Sequence, residues 1–443
     1  MDLVITNGTV VTMNAGREVL ARADVVISAG RIIKIGKAAK SYRGVRRVID
    51  AEGQLVLPGL VHGHLHACQT LFRNRADGLA LLDWLKQRIW PFEAAHDEAS
   101  MRASADLTFA ELIRSGSTAA LDMGSVHHYQ AVFESARDSG FRLTGGKAMM
   151  DFGDQVPPGL RETTRDSLEQ SEALVRAWHG AAGDRLRYAF APRFVLSCTE
   201  ELLRAVAERA QALGVRIHTH ASENLSECEA VRAQVGQENI EYFQALGLLG
   251  PHTTLAHCIH LRPRELELLA STQTVVCHCP SSNLKLASGV APLPELLEQG
   301  VKVCLGADGA PCNNNLDLFV EMRLAALLHK PRRGPLSVSA IEVLEMATLQ
   351  GARALGLLDQ IGSIEVGKRA DLIVVSRSEL HATPAGIDPV SQLVYSGQSR
   401  DVRDVIIDGR VVMQDRVLRT LDEARVRAEA IAQSKRVFAR ATR

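Results

Sequence analysis

Aromatic residues are scarce, at 4% of the 443-residue chain. That leaves few rings for the base-stacking platforms of single-strand nucleic-acid binders. Neither sign of charge is in excess: 51 Lys and Arg balance 51 Asp and Glu. Without a basic surplus to neutralise phosphates, nucleic acid is not expected as a partner. No apolar run approaches the length of a membrane span, so no membrane partner is expected either. The opening "MDLVITNGTVVTMN" lacks the basic segment and long apolar stretch of a secretory signal. The eight cysteines form no C-x-x-C pair. Scattered thiols of this kind suit a reduced, cytoplasmic protein better than a disulfide framework. "CHC" at Cys277 to Cys279 sits in the apolar run "TVVCHCP", where small buried thiols are the expected reading. No G-x-G-x-x-G turn exists to anchor an open doubly wound sheet.

The chain does have apolar material for a large core, 46% hydrophobic residues. Eight short apolar runs alternate with helical stretches: "QLVLPGLVHGHLH", "STAALDMG", "FRLTGGKAMMD", "LRYAFAPRF", "VRIHTHASE", "TTLAHC", "TVVCHCP" and "VKVCLGADG". Eightfold strand–helix alternation predicts an α/β fold, a (β/α)8 TIM barrel. Runs without clean alternation suit parallel strands covered on both faces. Short strands with tight turns occupy both chain ends and predict one small β-sandwich domain built from both. Asn7-Gly8, Ala29-Gly30 and Asp408-Gly409 are its expected hairpin turns. The expected boundaries are 1–57 with 366–420 for this domain, 58–365 for the barrel and 421–443 for a C-terminal helix.

"LVHGHLHACQ" places His62, His64 and His66 two positions apart. In a strand these share one face. A lone histidine would read as chance, whereas three at period two point to a metal. A barrel site lies at the C-terminal strand ends, and those ends carry His64 and His66, His127 and His128, Arg193, His220 with Glu223, His257, and Asp308. Neutral imidazoles with a carboxylate suit zinc with an open position for water. His64, His66, His220 and Asp308 make a four-ligand set for one divalent ion. Zinc lowers the pKa of its water toward neutrality. Glu223, three residues past His220, would shuttle protons, and His257 would bind the hydroxide or polarise the substrate. The reaction class is metal-assisted hydrolysis. His62 and His218 lie deeper and are assigned to the core. His278 reads as structural, and His96, His179, His329 and His381 as surface.

At these residues the chain resembles the amidohydrolase superfamily, in "LPGLVHGHLH", "HTHASE", "LAHCIHL", "CPSSNLKLASG" and "GADGAPCNNNLD". It is most similar to the branch with adenosine-type and guanine deaminases and s-triazine hydrolases. The likeness spans roughly residues 3 to 415. It implies that His64, His66, His220 and Asp308 hold the metal, and that Asp308 takes the proton of the attacking water. Glu223 would protonate the ring nitrogen and then the leaving amine, and His257 would orient the hydroxide. Two-metal members carry a lysine at the end of strand four. Arg193 stands there and Lys147 falls too early, so one ion is expected, Zn2+ first and Fe2+ as the alternative.

"QTLFRNRADGLALLDWLKQRIWPFE" and "GKAMMD" resemble deaminases of 5'-modified adenosines. The likeness implies that Asp83, before Trp84, holds the ribose hydroxyls of a purine nucleoside. His128, Arg193 and Gln69 complete the expected substrate contacts. Arg193 in "APRF" and Gln69 also resemble guanine deaminases, so guanine deamination is an alternative, as is displacement of an amine or chloride from an s-triazine. A homodimer or homotetramer is implied.

Overall fold

The computed structural model describes residues 1–37, 42 and 44–442. Residues 38–41 and 43, in the expected N-terminal β segment, and Arg443, at the end of the expected C-terminal helix, lie outside the described residues. Five strands come first: β1 (Leu3–Val11), β2 (Val19–Ser28), β3 (Arg31–Lys37), β4 (Arg47–Asp50) and β5 (Leu55–Pro58). The next nine are β6 (Leu60–Leu65), β7 (Ser117–Met123), β8 (Arg142–Gly146), β9 (Ala148–Met149), β10 (Leu186–Pro192), β11 (Arg216–Ala221), β12 (Thr253–His257), β13 (Val275–His278) and β14 (Lys302–Leu305). The chain ends with β15 (Leu372–Val375), β16 (Val402–Ile407), β17 (Arg410–Gln414), β18 (Val417–Leu418) and the helix Glu423–Ala441.

The middle strands form one parallel sheet in the order β14-β13-β12-β11-β10-β8-β7-β6, with β9 paired to β10. A parallel bridge from Leu65 to Asp308 brings the last strand round to the first. The closure is therefore an α/β barrel, and its seam lies at the C-terminal rim. Strands β6, β7 and β13 are buried at every residue, which is why their sequences do not alternate. Helices cover the outside with their apolar stripes inward. In Glu200–Leu213, Thr199 caps the Leu202 N–H, Leu202, Leu203, Val206 and Ala210 are buried, and Gly214 ends the helix at φ 64°.

The second sheet draws on both chain ends, in the order β18-β17-β16-β15-β5-β1-β2-β3 with β4 on β1. Its core includes Leu3, Ile5, Val25, Ile27, Val56, Leu372 and Ile406. Ala29-Gly30 and Asp408-Gly409 make two-residue hairpins with positive φ at both positions. Asn7-Gly8 does not turn the chain. Strand β1 runs through it as a bulge. The Asn7 N–H donates to Asp24 Oδ1 at 3.0 Å, and a Cβ on Gly8 would lie 2.5 Å from Val56 Cγ2. Close packing, not a turn, demands that glycine.

One buried ion pair ties the sheets together. Arg142, at the start of β8, donates to Asp371 through Nε at 2.6 Å and Nη2 at 3.0 Å. Both side chains are 1% exposed. Among the described residues no helix is long and apolar enough to cross a membrane.

Candidate active site

Period two along β6 sends His62, His64 and His66 to one side at three depths. His62 is the deepest, with Nε2 3.0 Å from Ser117 Oγ, and it belongs to the core. His64 and His66 reach the rim. Behind His64 stands His218, with Nε2 2.9 Å from His64 Nδ1.

Backbone carbonyls set two of the ring tautomers. His66 Nδ1 lies 2.7 Å from Met123 O, and His220 Nδ1 lies 2.7 Å from Arg193 O. A carbonyl only accepts, so each Nδ1 carries the hydrogen and each Nε2 presents a lone pair. Those two Nε2 atoms are 3.3 Å apart. His64 Nε2 is buried without a hydrogen-bond partner. Asp308 Oδ1 lies 3.3 Å from His64 Nε2 and 3.4 Å from His66 Nε2. Lone pairs converging this closely repel one another unless a cation lies among them. Burial lowers the His66 pKa to about 3, so the ring is neutral. Neutral imidazoles and a carboxylate, held from behind by carbonyls, fit a divalent cation. Within the cluster, the ligand atoms of His64, His66 and Asp308 lie within 4.8 Å of one another, as do those of His64, His220 and His257.

Asp308 is held on two sides. Ser282 Oγ donates to Oδ2 at 2.6 Å and the Gly309 N–H donates to Oδ1 at 2.7 Å. Its backbone, like that of His257, is left-handed, at φ 61° and 74°, a conformation concentrated at functional positions. His257 Nδ1 is 2.9 Å from Asn283 Oδ1, while Nε2 is 3.5 Å from Glu223 Oε2 and 3.8 Å from Asp308 Oδ2. Burial pulls the His257 pKa down, but the carboxylates of Glu223 and Asp308 outweigh it and the net shift is upward. Burial pushes the Glu223 carboxyl up to about 7.

These groups share a cavity with Leu81, Trp84, Leu85, Phe194 and Arg193. The open space among them is about 30 Å³, room for about one water molecule. Arg193 is bound end-on by Glu93, with Nη1 to Oε2 at 2.6 Å and Nη2 to Oε1 at 3.2 Å. Gln69 Nε2 donates to the same carboxylate at 2.8 Å.

The fold thus brings together His64, His66, His220, Asp308, Glu223, His257, Trp84 and Arg193. Gln69 hydrogen-bonds Glu93, and its amide oxygen packs against Gly309, beside Asp308. Two expected contacts are not brought in. Asp83 is exposed, because Leu81, Trp84 and Leu85, at i, i+3 and i+4, occupy the inward face of its helix. His128 is exposed too, on a loop that turns outward and is fastened by His127 Nε2, 2.9 Å from Gly159 O. It lines a separate surface cavity with Lys147. His96 and His329, expected at the surface, are buried. His96 sits between Cys68 O at 2.8 Å and Ser100 Oγ at 3.0 Å.

Two acids escaped the sequence reading. Glu93 is a carboxylate in the apolar stretch "IWPFEA", a pattern that calls for a buried cationic partner. Glu227 lines the cavity, and its Oε2 accepts from the Glu223 N–H at 3.1 Å. Its spacing of four from Glu223 was the available signal.

A parallel barrel that gathers imidazoles and a carboxylate at its C-terminal rim is the frame of a metal-assisted hydrolase. The chain belongs to the amidohydrolase family, whose sequence profile matches residues 55–412. It is 38% identical over 441 residues to a 5'-deoxyadenosine deaminase of Methanosarcina acetivorans, covering 99% of each chain. It is 41% identical over 438 residues to a 5-methylthioadenosine/S-adenosylhomocysteine deaminase of Syntrophobacter fumaroxidans, covering 98% of each. Among solved structures it resembles an adenosine deaminase from Xanthomonas campestris with bound zinc, at TM-score 0.93 and 33% identity, covering 99% of each chain.

Proposed function

We propose that the chain is a hydrolytic deaminase acting at C6 of 5'-modified adenosines. The candidates are 5'-deoxyadenosine, 5'-methylthioadenosine and S-adenosylhomocysteine, each yielding ammonia and the inosine analogue. One observation carries the reading. A convergent donor set and two proton-carrying groups, Glu223 and His257, meet in one buried cavity, in a chain similar over its full length to deaminases of such substrates.

His64, His66, His220 and Asp308 would hold one divalent ion, with zinc preferred over Fe2+ for this ligand set. When bound, the ion supplies Lewis acidity toward a water molecule. Asp308 would accept a proton from the attacking water as the water oxygen adds to C6. Glu223 is lifted by burial to about 7, so its protonated form is populated near neutral pH and can give its proton to N1. The second water proton passes to the amine, which leaves as ammonia, and the proton on Asp308 restores Glu223. His257 Nε2 faces both carboxylates and spans that return path.

Trp84 contributes a buried indole N–H without a partner, a donor available to the substrate. Arg193 lines the same wall. A guanine reading would need Arg193 and Gln69 to address the base, yet both direct their donors to Glu93. A protonated Glu223 favours an amine over a chloride leaving group.

The test is an ultraviolet scan of the metal-loaded protein with 5'-deoxyadenosine, 5'-methylthioadenosine, S-adenosylhomocysteine and guanine. At least one of the adenosines is expected to shift to the inosine spectrum. Unchanged spectra for all three adenosines overturn the reading.

A further inference from the structure

Arg193 brings a permanent positive charge to the cavity that the donor cluster lines. A guanidinium keeps its proton in proteins, so this charge is present at any working pH. The backbone of Arg193 is tied to the cluster, because its carbonyl accepts the His220 Nδ1 hydrogen at 2.7 Å. Its charge reaches the cluster as well. Burial lowers the pKa of His64 and His66, and the Arg193 charge acts in the same direction. A divalent ion among those rings would meet the same cation. In a buried site such repulsion is poorly screened.

Glu93 removes that conflict. It comes from the short helix Trp90–Ala94 and lies end-on against the guanidinium. Oε2 accepts from Nη1 at 2.6 Å and Oε1 from Nη2 at 3.2 Å. The two side chains are 3% and 0% exposed, Arg193 and Glu93 respectively. Gln69 Nε2 donates a third bond, to Oε1 at 2.8 Å. Gln69 is held in its turn. A Cβ on Gly309 would lie 2.1 Å from its amide oxygen, so only glycine leaves room for it, and the Gly309 N–H donates to Asp308. Three donors therefore fix the carboxylate where it cancels the Arg193 charge.

A buried ion pair contributes little to folding, since desolvation offsets most of its attraction. Its zero net charge beside a cation site is the more consequential property. On the ligand set proposed above, we infer that Glu93 serves the metal centre through Arg193: by neutralising the guanidinium in place, it lets a divalent ion bind among His64, His66, His220 and Asp308. Glu93 is a positioning and charge-balancing residue, not a ligand. Without it the same cavity would carry an unpaired cation beside the ion.

The test is the zinc affinity of the full-length protein, measured by competition with a chromophoric chelator in the wild type, Glu93→Gln, Arg193→Gln and the double variant. Glu93→Gln leaves the cation unpaired and is expected to weaken zinc about tenfold or more. Arg193→Gln removes the cation and is expected to hold zinc at least as tightly as the wild type. The double variant, neutral at both positions, is expected to return to within about threefold of wild-type affinity. A role in packing alone would weaken zinc in both single variants and give no recovery in the double. Wild-type affinity in Glu93→Gln, weakened zinc in Arg193→Gln, or a double variant no tighter than Glu93→Gln each overturns the charge-balancing role alone. A wild type that binds no zinc overturns the ligand set together with it. Arg193→Gln and the double variant keep the test decisive if Glu93→Gln does not fold.

Discussion

Glu223 and His257 face each other across 3.5 Å, and neither contacts a backbone carbonyl that would fix its proton. Both are therefore free to exchange protons with a substrate. Glu223→Gln keeps the shape and removes the titratable proton. Turnover is expected to fall by about 10²–10⁴-fold, while metal content, measured by elemental analysis, stays at the wild-type level. His66→Ala is expected to lose metal and activity together, since it removes a lone pair from the cluster. Retained stoichiometric metal in that variant would exclude His66 as a ligand. The residues of the donor cluster were legible in the sequence because period two and strand ends are local patterns. Glu93 was not, because its partner Arg193 stands 100 positions away and only the folded barrel brings the two together. The outward placing of Asp83 was not legible, because an acid beside a tryptophan says nothing of helix phase. Leu81, Trp84 and Leu85 claim the inner face, so Asp83 must point out.

At the level of elements, the segment over the rim governs access. A short helix, Leu81–Trp84, runs directly into a π-helical turn, Leu85–Ile89, an irregularity frequent at functional sites. Leu81, Trp84 and Leu85 of this segment form part of the cavity wall. Trp84→Ala removes a large apolar contact and a partnerless indole donor. It is expected to raise KM about tenfold or more, with a smaller change in kcat, read from initial rates. An unchanged KM would remove Trp84 from the substrate wall. The eight barrel strands were legible as apolar runs, because burial on both faces leaves no polar alternation to confuse them. Asn7-Gly8 was not legible as a bulge. The contact that forces Gly8 comes from Val56, far along the chain, and a dipeptide cannot reveal it.

For the whole molecule, stability depends on buried charges far from the rim. Asp371→Ala removes the two short hydrogen bonds of the buried Arg142 guanidinium between the two sheets, leaving Asp408 Oδ1 at 3.7 Å as its carboxylate partner, and is expected to cost about 3 kcal/mol, measured by denaturant unfolding. Acid should destabilise the fold through its buried histidines. Burial lowers the pKa of His96 from 6.5 to about 4 and that of His278 from 6.5 to about 3. Above about 6.5 both rings are neutral in the folded and unfolded chain. Below that, the unfolded chain binds protons that the folded chain refuses, so stability is lost as pH falls from about 6.5 toward 4. A melting temperature that stays flat across that window would contradict this. The composite sheet, the Arg142–Asp371 pair between the sheets and the closed barrel serve one end, the placing of Glu223, His257 and the donor cluster around one cavity. The most direct check is a steady-state comparison of 5'-deoxyadenosine, 5'-methylthioadenosine, S-adenosylhomocysteine, adenosine and guanine on the metal-loaded protein. At least one 5'-modified adenosine is expected to exceed guanine in kcat/KM by about 10²-fold or more; guanine as the preferred substrate, or turnover of none of the adenosines, would contradict the assignment.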